Sequence, residues 1–275
     1  MEKITKKNLI VTGIPRSGTT LTTALVDSLS NSVCLSEPAW QGRFFKNTDD
    51  IKEVVQQIED DFVNIRKKIV KQKPVEDRRD EGGLPLTNYI KYSNNGETKK
   101  NKDTKSFILD VKNKNFLLGM KHNAHYTSIL PQLAENNFFS VLAIVRHPIP
   151  TILSWHKVNF PISKGRLPGA EYFWPKIKKI SSNNDPLLVK QVKIYDLFCK
   201  RYLSLDDKIH LLKYETILES PIILEKLTNK TYEREINLTN LNKNSHYNFE
   251  MSKEIKKYIK RYAPHALELY SLDDF

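Results

Sequence analysis

The run Gly13-Ile14-Pro15-Arg16-Ser17-Gly18-Thr19-Thr20 joins the short apolar stretch Asn8–Gly13 to a helix-patterned stretch over 18–29, where Leu21, Leu25 and Leu29 share one face. A tight turn between a strand and a helix is the context that a phosphate-cradling loop requires. Backbone N–H groups of the turn and of the first helical turn converge on one point, and the helix dipole adds partial positive charge there. The run nearly meets the Walker A pattern, but Thr19 stands where that pattern has a lysine. That lysine reaches the β- and γ-phosphates of a nucleoside triphosphate. An ATPase or GTPase reading is therefore weakened, while anion binding survives, with the loop's charge carried earlier on Arg16. Taken alone, the loop also fits a purely structural strand–turn–helix.

A second group of candidates is Val145-Arg146-His147-Pro148, followed by Ser154-Trp155. Arg146 leaves the end of the strongly apolar run Phe138–Val145, and Ser154 lies two turns into the next helix. Ligands of parallel sheets bind beyond the carboxyl ends of the strands, so Arg146 is placed for a second anionic group near the first loop. Two separate anion sites suggest a nucleotide with phosphates at two positions. An arginine at a strand end also serves in structural salt bridges, so the pair gains meaning from the loop. For proton transfer the candidate is Glu37, in Ser36-Glu37-Pro38-Ala39-Trp40, with His122 and His125 as alternatives. A base must lie within hydrogen-bond reach of the proton it takes. A carboxylate that only caps a turn before Pro38 is the plainer reading of Glu37.

The elements that must position these residues alternate. Strands are expected over Asn8–Gly13, Phe107–Val111, Phe116–Lys121, Phe138–Val145 and Ile209–Leu212. Helices are expected over 18–29, 48–70, 124–135, 149–158, 186–203, 215–228 and 251–262. Strands alternating with helices predict an α/β fold, a parallel sheet flanked by helices. Residues 48–70 are amphipathic through Ile51, Val55, Ile58, Phe62, Ile65 and Ile69, with Asp49 or Asp50 as cap. A helical and polar insertion is expected at about 44–106. Its stretch 71–106, polar and charged, reads as a long, partly mobile surface segment. Residues 159–184, rich in Pro, Gly and aromatics, read as a loop or lid. Trp40 and the aromatic loop 159–175 are candidates for an acceptor wall, with Lys164 and Arg166 available to an acidic acceptor.

The chain has 275 residues, 39% of them apolar, enough for one sizeable core and too apolar for a wholly disordered chain. One domain over 1–275 is expected. Its two cysteines, Cys34 and Cys199, exclude a disulfide framework and a thiolate zinc site. No run approaches the ~20 apolar residues of a membrane helix. The basic Met1–Lys7 is followed by only Leu9-Ile10-Val11, too short for a signal peptide, so a cytoplasmic location is expected and a mature secreted chain stays open. The net charge of +12 suggests an anionic ligand.

Three segments together resemble the sulfotransferases that use 3′-phosphoadenylyl sulfate (PAPS). Ile14-Pro15-Arg16-Ser17-Gly18-Thr19-Thr20 looks like their 5′-phosphosulfate loop, Phe139–Trp155 like their 3′-phosphate strand and helix, and Leu211-Leu212-Lys213-Tyr214-Glu215-Thr216-Ile217 like their later Tyr-Glu-x-Leu segment. The order and spacing match over about 8–228. The resemblance implies a P-loop-like three-layer sandwich and sulfonate transfer from PAPS to a hydroxyl, leaving 3′,5′-ADP, with no metal. It implies that Pro15, Arg16, Ser17, Gly18, Thr19 and Thr20 form the 5′-phosphosulfate cradle, that Arg146 and Ser154 hold the 3′-phosphate, and that Tyr214 lies near the adenine. Glu-Pro-Ala-Trp resembles the carbohydrate 6-O-sulfotransferases, where the matching Glu is the base, so a carbohydrate or glycoconjugate acceptor leads over a tyrosyl or small-metabolite hydroxyl. The chain departs from the family at His147, where Arg-Asp-Pro has an acid, and its Lys-Thr-His segment survives only as Lys121-His122-Asn123. A P-loop kinase or NTPase and a non-catalytic nucleic-acid binder are the rival classes, and no specific nucleic-acid partner is expected.

Overall fold

The computed structural model describes residues 3–92, 98–100, 103–238, 240, 242 and 248–274. Its centre is a five-stranded sheet of β1 (Asn8–Gly13), β2 (Ser32–Ser36), β3 (Leu117–Lys121), β4 (Ser140–Val145) and β5 (His210–Lys213), in the order β2-β3-β1-β4-β5. Every pairing is parallel. Helices on both faces explain why β1 and β4 read as continuous apolar runs without alternation. One face packs Leu9, Val11, Cys34, Leu117, Leu142 and Ile144 against the helix α1 (Thr19–Asp27). The other packs Ile10, Leu35, Leu118, Met120, Val141 and Ala143 against the long helix α2 (Ile51–Val70) and its neighbours.

The chain leaves β1 towards β2 on one side, and leaves β4 towards β5 on the other. This reversal opens a crevice beyond the carboxyl ends of β1 and β4, the place where open parallel sheets take ligands. The register sets what borders it. Val11 pairs with Lys121, and Lys121 with Ser36, so Lys121, Ser36 and the residues after them reach one level.

The expected strands and helices lie close to their sequence patterns, and Asp50 is the cap of α2, accepting from the Lys52 N–H at 2.8 Å. Four segments differ. Residues 124–135 form two short helices, Ala124–Ser128 and α3 (Leu130–Glu135), divided before Pro131. Residues 214–228 are divided likewise, at Ser220-Pro221. Residues 159–184 are no loop: they carry a 3₁₀ turn (Pro161–Lys164) and helices over Pro168–Glu171 and Pro175–Ser182, each opened by a proline. Trp174 and Ile177 anchor them in the core. Phe107–Val111 is not a strand of the main sheet. Lys105–Phe107 instead pairs antiparallel with Val75–Asp77, and Ile90–Tyr92 with Thr98–Lys100, so the insertion is partly folded. Its residues 93–97, 101 and 102 lie outside the described residues.

Candidate active site

The loop after β1 is held open by side chains that face away from the crevice. The Ser17 hydroxyl donates to the Ile144 carbonyl at 2.8 Å, and the Trp155 indole N–H donates to the Pro15 carbonyl at 2.7 Å. Ser17 is thus a latch on β4. Arg16 takes a positive φ of 70° and Gly18 one of 90°. At Gly18 the glycine is required twice over, because a Cβ there would lie 2.3 Å from the Tyr214 ring. Arg16 pays local strain that its partners offset: its Nε donates to the Ser154 hydroxyl at 3.1 Å and its Nη1 to the Asn88 side-chain carbonyl at 3.4 Å.

Arg146 emerges from β4 beside this loop. Its guanidinium donates to the Arg16 carbonyl at 3.2 Å and to Asn242, and lies 4.9 Å over the Tyr214 ring. The residues expected to serve two anion sites, Arg16, Arg146, Ser154 and Tyr214, therefore form one connected cluster. Ser154 differs from expectation in detail, since it is bonded to Arg16. His147 shows how the chain manages without an acid after Arg146. Its Nδ1 accepts from the Ile149 N–H and caps α4 (Pro148–His156), while its Nε2 donates to the Ser271 carbonyl at 3.1 Å.

Beyond the loop lies a group that the motifs pointed to only in part. Lys121 ends β3 with its side chain fully buried, and its ammonium donates to Glu37 Oε1 at 2.8 Å. It also stands 3.4 Å from the Thr20 hydroxyl and 3.5 Å from the Tyr89 hydroxyl. A lysine is therefore present at the loop after all, supplied by the neighbouring strand. Burial opposes its charge, but Glu37 and Tyr89 outweigh burial and hold its pKa above the ordinary lysine value. Burial likewise opposes the Glu37 charge, and Lys121, His122 and Arg78 outweigh it, bringing that carboxyl down to about 2. Glu37 itself has a φ of 52°. Its backbone is clamped by the insertion: Arg78 donates to the Ser36 and Glu37 carbonyls, and Asp77 accepts from the Ser36 N–H at 2.9 Å. Arg79 locks the clamp to α1 through Asp27 at 2.7 Å and Asp77 at 2.9 Å. Lys121, Arg78, Asn88 and Tyr89 were not singled out as site residues. For Lys121 a signal existed: a charged residue closes the apolar run Leu117-Leu118-Gly119-Met120 at the same end of the sheet as Arg146.

Glu37, Asn88 and Tyr89 line a cavity of about 550 Å³ that runs from Arg146 and Tyr214, over Arg16 and Gly18–Thr20, to His122 and His125, whereas Lys121, Arg78 and Ser154 are not among its lining residues. His122 donates from Nε2 to the Pro38 carbonyl at 3.1 Å. Burial first, then the neighbouring His125, lower its pKa to about 3, and burial lowers that of His125 to about 4. Residues 160–162 and 166–169 close the far wall. Trp40 is not part of it, because its indole donates to Asp61 at 2.9 Å. Arg166 is on the wall but paired with Glu171 at 2.6 Å. Among the described residues, no three His, Cys, Asp or Glu side chains gather as metal ligands, and no helix is long and apolar enough to cross a membrane.

No protein-family model matches the chain, and no curated protein matches its sequence. Among solved structures it is similar to a sulfotransferase of Mycobacterium tuberculosis H37Rv at 11% identity and a TM-score of 0.43, covering 94% of this chain and 76% of that one. It is also similar to a sulfotransferase from Alicyclobacillus acidocaldarius at 11% identity and a TM-score of 0.41, covering 98% of each chain. Likeness at this level carries no weight for activity or ligand, which rest on the geometry of the cavity.

Proposed function

We propose that this chain is a sulfotransferase that moves a sulfonate group from PAPS to the hydroxyl of an acceptor. One observation carries the reading: Arg16 and Arg146 sit in a single bonded cluster at the crevice, with the Lys121–Glu37 pair across Thr20. The residues fit a donor with phosphates at two positions. The backbone of residues 16–20, with Arg16, Thr19 and Thr20, holds the 5′-phosphosulfate. Arg146 holds the 3′-phosphate, and Ser154, which accepts from Arg16, keeps its own proton to donate there. Tyr214, lying on Gly18 and under Arg146, borders the adenine. Neither Ser17 nor Pro15 contributes a side-chain donor; both shape the turn.

In the transfer the acceptor oxygen bonds to sulfur and the bond from sulfur to the bridging oxygen breaks. The electron pair leaves on the phosphate of 3′,5′-ADP, and the acceptor proton passes to the base. Negative charge grows on the bridging oxygen, where the Arg16 guanidinium and the Lys121 ammonium are preorganised to meet it. Glu37 is the base, with His122 as the alternative. Both hold protons weakly in the ligand-free arrangement, and an anion entering the cavity raises both pKa values toward the working range. A carbohydrate acceptor, expected from Glu37-Pro38-Ala39-Trp40, loses support because Trp40 is engaged by Asp61. A P-loop phosphotransferase is the second reading, favoured by the Lys121 ammonium beside Thr20.

Calorimetric titration with 3′,5′-ADP, with ATP and magnesium, and with 5′-AMP separates the two. Tight binding of 3′,5′-ADP without metal is expected, weakened about tenfold or more in Arg146→Ala because a hydrogen bond to a charged group contributes roughly 1.5–3 kcal/mol. A response to ATP and magnesium alone overturns the sulfotransferase reading.

A further inference from the structure

The end of the cavity formed by residues 122–125 holds an unsatisfied group. Asn123 lines it, and the Asn123 side-chain oxygen is buried with no hydrogen-bond partner among the described residues. The side chains on either side are committed: His122 donates to the Pro38 carbonyl, and the His125 ring packs on Gly169 and lies 4.6 Å from the Phe45 ring. A buried acceptor without a donor is costly, and native proteins keep few of them. Nor can the backbone shift to relieve it. The Thr12 hydroxyl, on β1, donates to the His122 carbonyl at 2.9 Å and to the Asn123 carbonyl at 3.0 Å, and the Thr127 N–H donates to the same Asn123 carbonyl at 3.1 Å. Thr127 bonds through its hydroxyl to Thr12 at 2.8 Å and to the Tyr202 hydroxyl at 2.9 Å. Each hydroxyl has one hydrogen, so the relay runs one way, from Tyr202 to Thr127 to Thr12 to the two carbonyls. All of its hydrogens are spent on fixing the Asn123 backbone, and none reaches the Asn123 side chain.

An amide oxygen accepts a hydrogen bond but takes up no proton. Its missing partner is therefore an O–H or N–H that keeps its hydrogen through the reaction. The ionised phosphates and sulfonate of PAPS are acceptors only. The O–H and N–H groups that PAPS does carry, on its ribose and adenine, belong at the Arg146 and Tyr214 end. The reacting hydroxyl of the acceptor gives its proton to Glu37. We propose that Asn123 is a specificity-determining residue, whose side-chain oxygen receives a second O–H or N–H of the acceptor, apart from the hydroxyl that is sulfonated. This rests on the sulfotransferase reading and adds a recognition element to it. A site with a buried acceptor group rejects a ligand that lacks the matching donor, because the group is then left unpaired.

The test uses the full chain saturated with 3′,5′-ADP and titrated by calorimetry, free of oxygen, with phenol and with each of the three benzenediols, which place a second hydroxyl at different positions. At least one diol is expected to bind about tenfold or more tighter than phenol. In Asn123→Leu that preference should vanish, with the affinity for 3′,5′-ADP unchanged. If Asn123→Leu no longer binds 3′,5′-ADP, Asn123→Ala takes its place. With PAPS supplied, the preferred diol should be sulfonated with a higher kcat/KM than phenol in the parent chain and not in the variant. Equal affinity for phenol and every diol, no binding of any of the four, or a preference that survives in the variant overturns the role of Asn123 and leaves the donor reading standing. Failure of 3′,5′-ADP itself to bind the parent chain removes both.

Discussion

A buried ammonium is tolerable at Lys121 because Glu37, Thr20 and Tyr89 all stand within 3.5 Å of it. Remove the carboxylate and the ammonium is left uncompensated with its side chain 1% exposed. Breaking such a pair costs about 3–5 kcal/mol, while replacing both partners with neutral groups is often near neutral. Because Glu37 is one-third exposed, the lower end of that range is the expectation. Glu37→Gln should therefore lower the unfolding free energy by roughly 3 kcal/mol, and adding Lys121→Met should restore most of it, as measured by chemical denaturation of the double-mutant cycle. Equal stability of Glu37→Gln and the parent chain would mean that the two charges do not depend on one another. The contiguous loop around Arg16 and Gly18 was legible in the sequence because its parts are neighbours in the chain. The pairing of Lys121 with Glu37 was not, because residues 84 positions apart meet only through the register of β2 on β3.

At the level of elements, the insertion is the surprise. Its polar composition reads as surface, and its mobile-looking stretch is where Arg78, Arg79, Asn88 and Tyr89 originate. The charges that suggested solvation are spent on one another and on the sheet: Arg79 sits between Asp27 and Asp77, and Arg78 grips two backbone carbonyls at the end of β2. Composition alone does not separate a solvated charge from a paired one. The same applies to residues 159–184, whose prolines signal turns but here occupy first helical turns, where a missing N–H is harmless. Arg78→Ala releases the clamp on the left-handed Glu37 backbone. It should cost about 1–3 kcal/mol of stability and lower kcat for sulfonate transfer about tenfold, with KM for the donor unchanged. A rise in donor KM with kcat intact would instead place the insertion's role at the nucleotide.

Across the whole molecule, proton uptake links the site to stability. His122 titrates at about 3 when folded against an ordinary 6.5, and His125 at about 4. Below pH 6.5 the unfolded chain takes protons that the folded chain refuses, so stability declines as pH falls from 6.5 toward 3, at up to about 1.4 kcal/mol per pH unit for each proton. Glu37, lowered from 4.5 to about 2, adds a second loss over that lower window. Thermal melts from pH 7.5 to 4 should show a steady fall in Tm, and His122→Gln should flatten it. An unchanged slope in that variant would show that His122 is not buried neutral. β1, β3, β4 and β5 were legible from the apolar runs, since strands covered on both faces leave the plainest trace in a sequence, whereas Phe107–Val111 reads as a strand that the sheet does not contain.

The central strand β1 precedes both of its partners in the chain by more than 100 residues. Its loop is fastened by Trp155, 140 residues further along the chain, and β1 has neighbours only once β3 and β4 exist. At a synthesis rate of about 5–20 residues per second, the interval between the emergence of Pro15 and of its indole partner is roughly 7–28 s. For that time Leu9, Ile10 and Val11 leave the ribosome as an unpaired apolar strand, so the segment leading into the proposed phosphate cradle is one in need of shielding during synthesis.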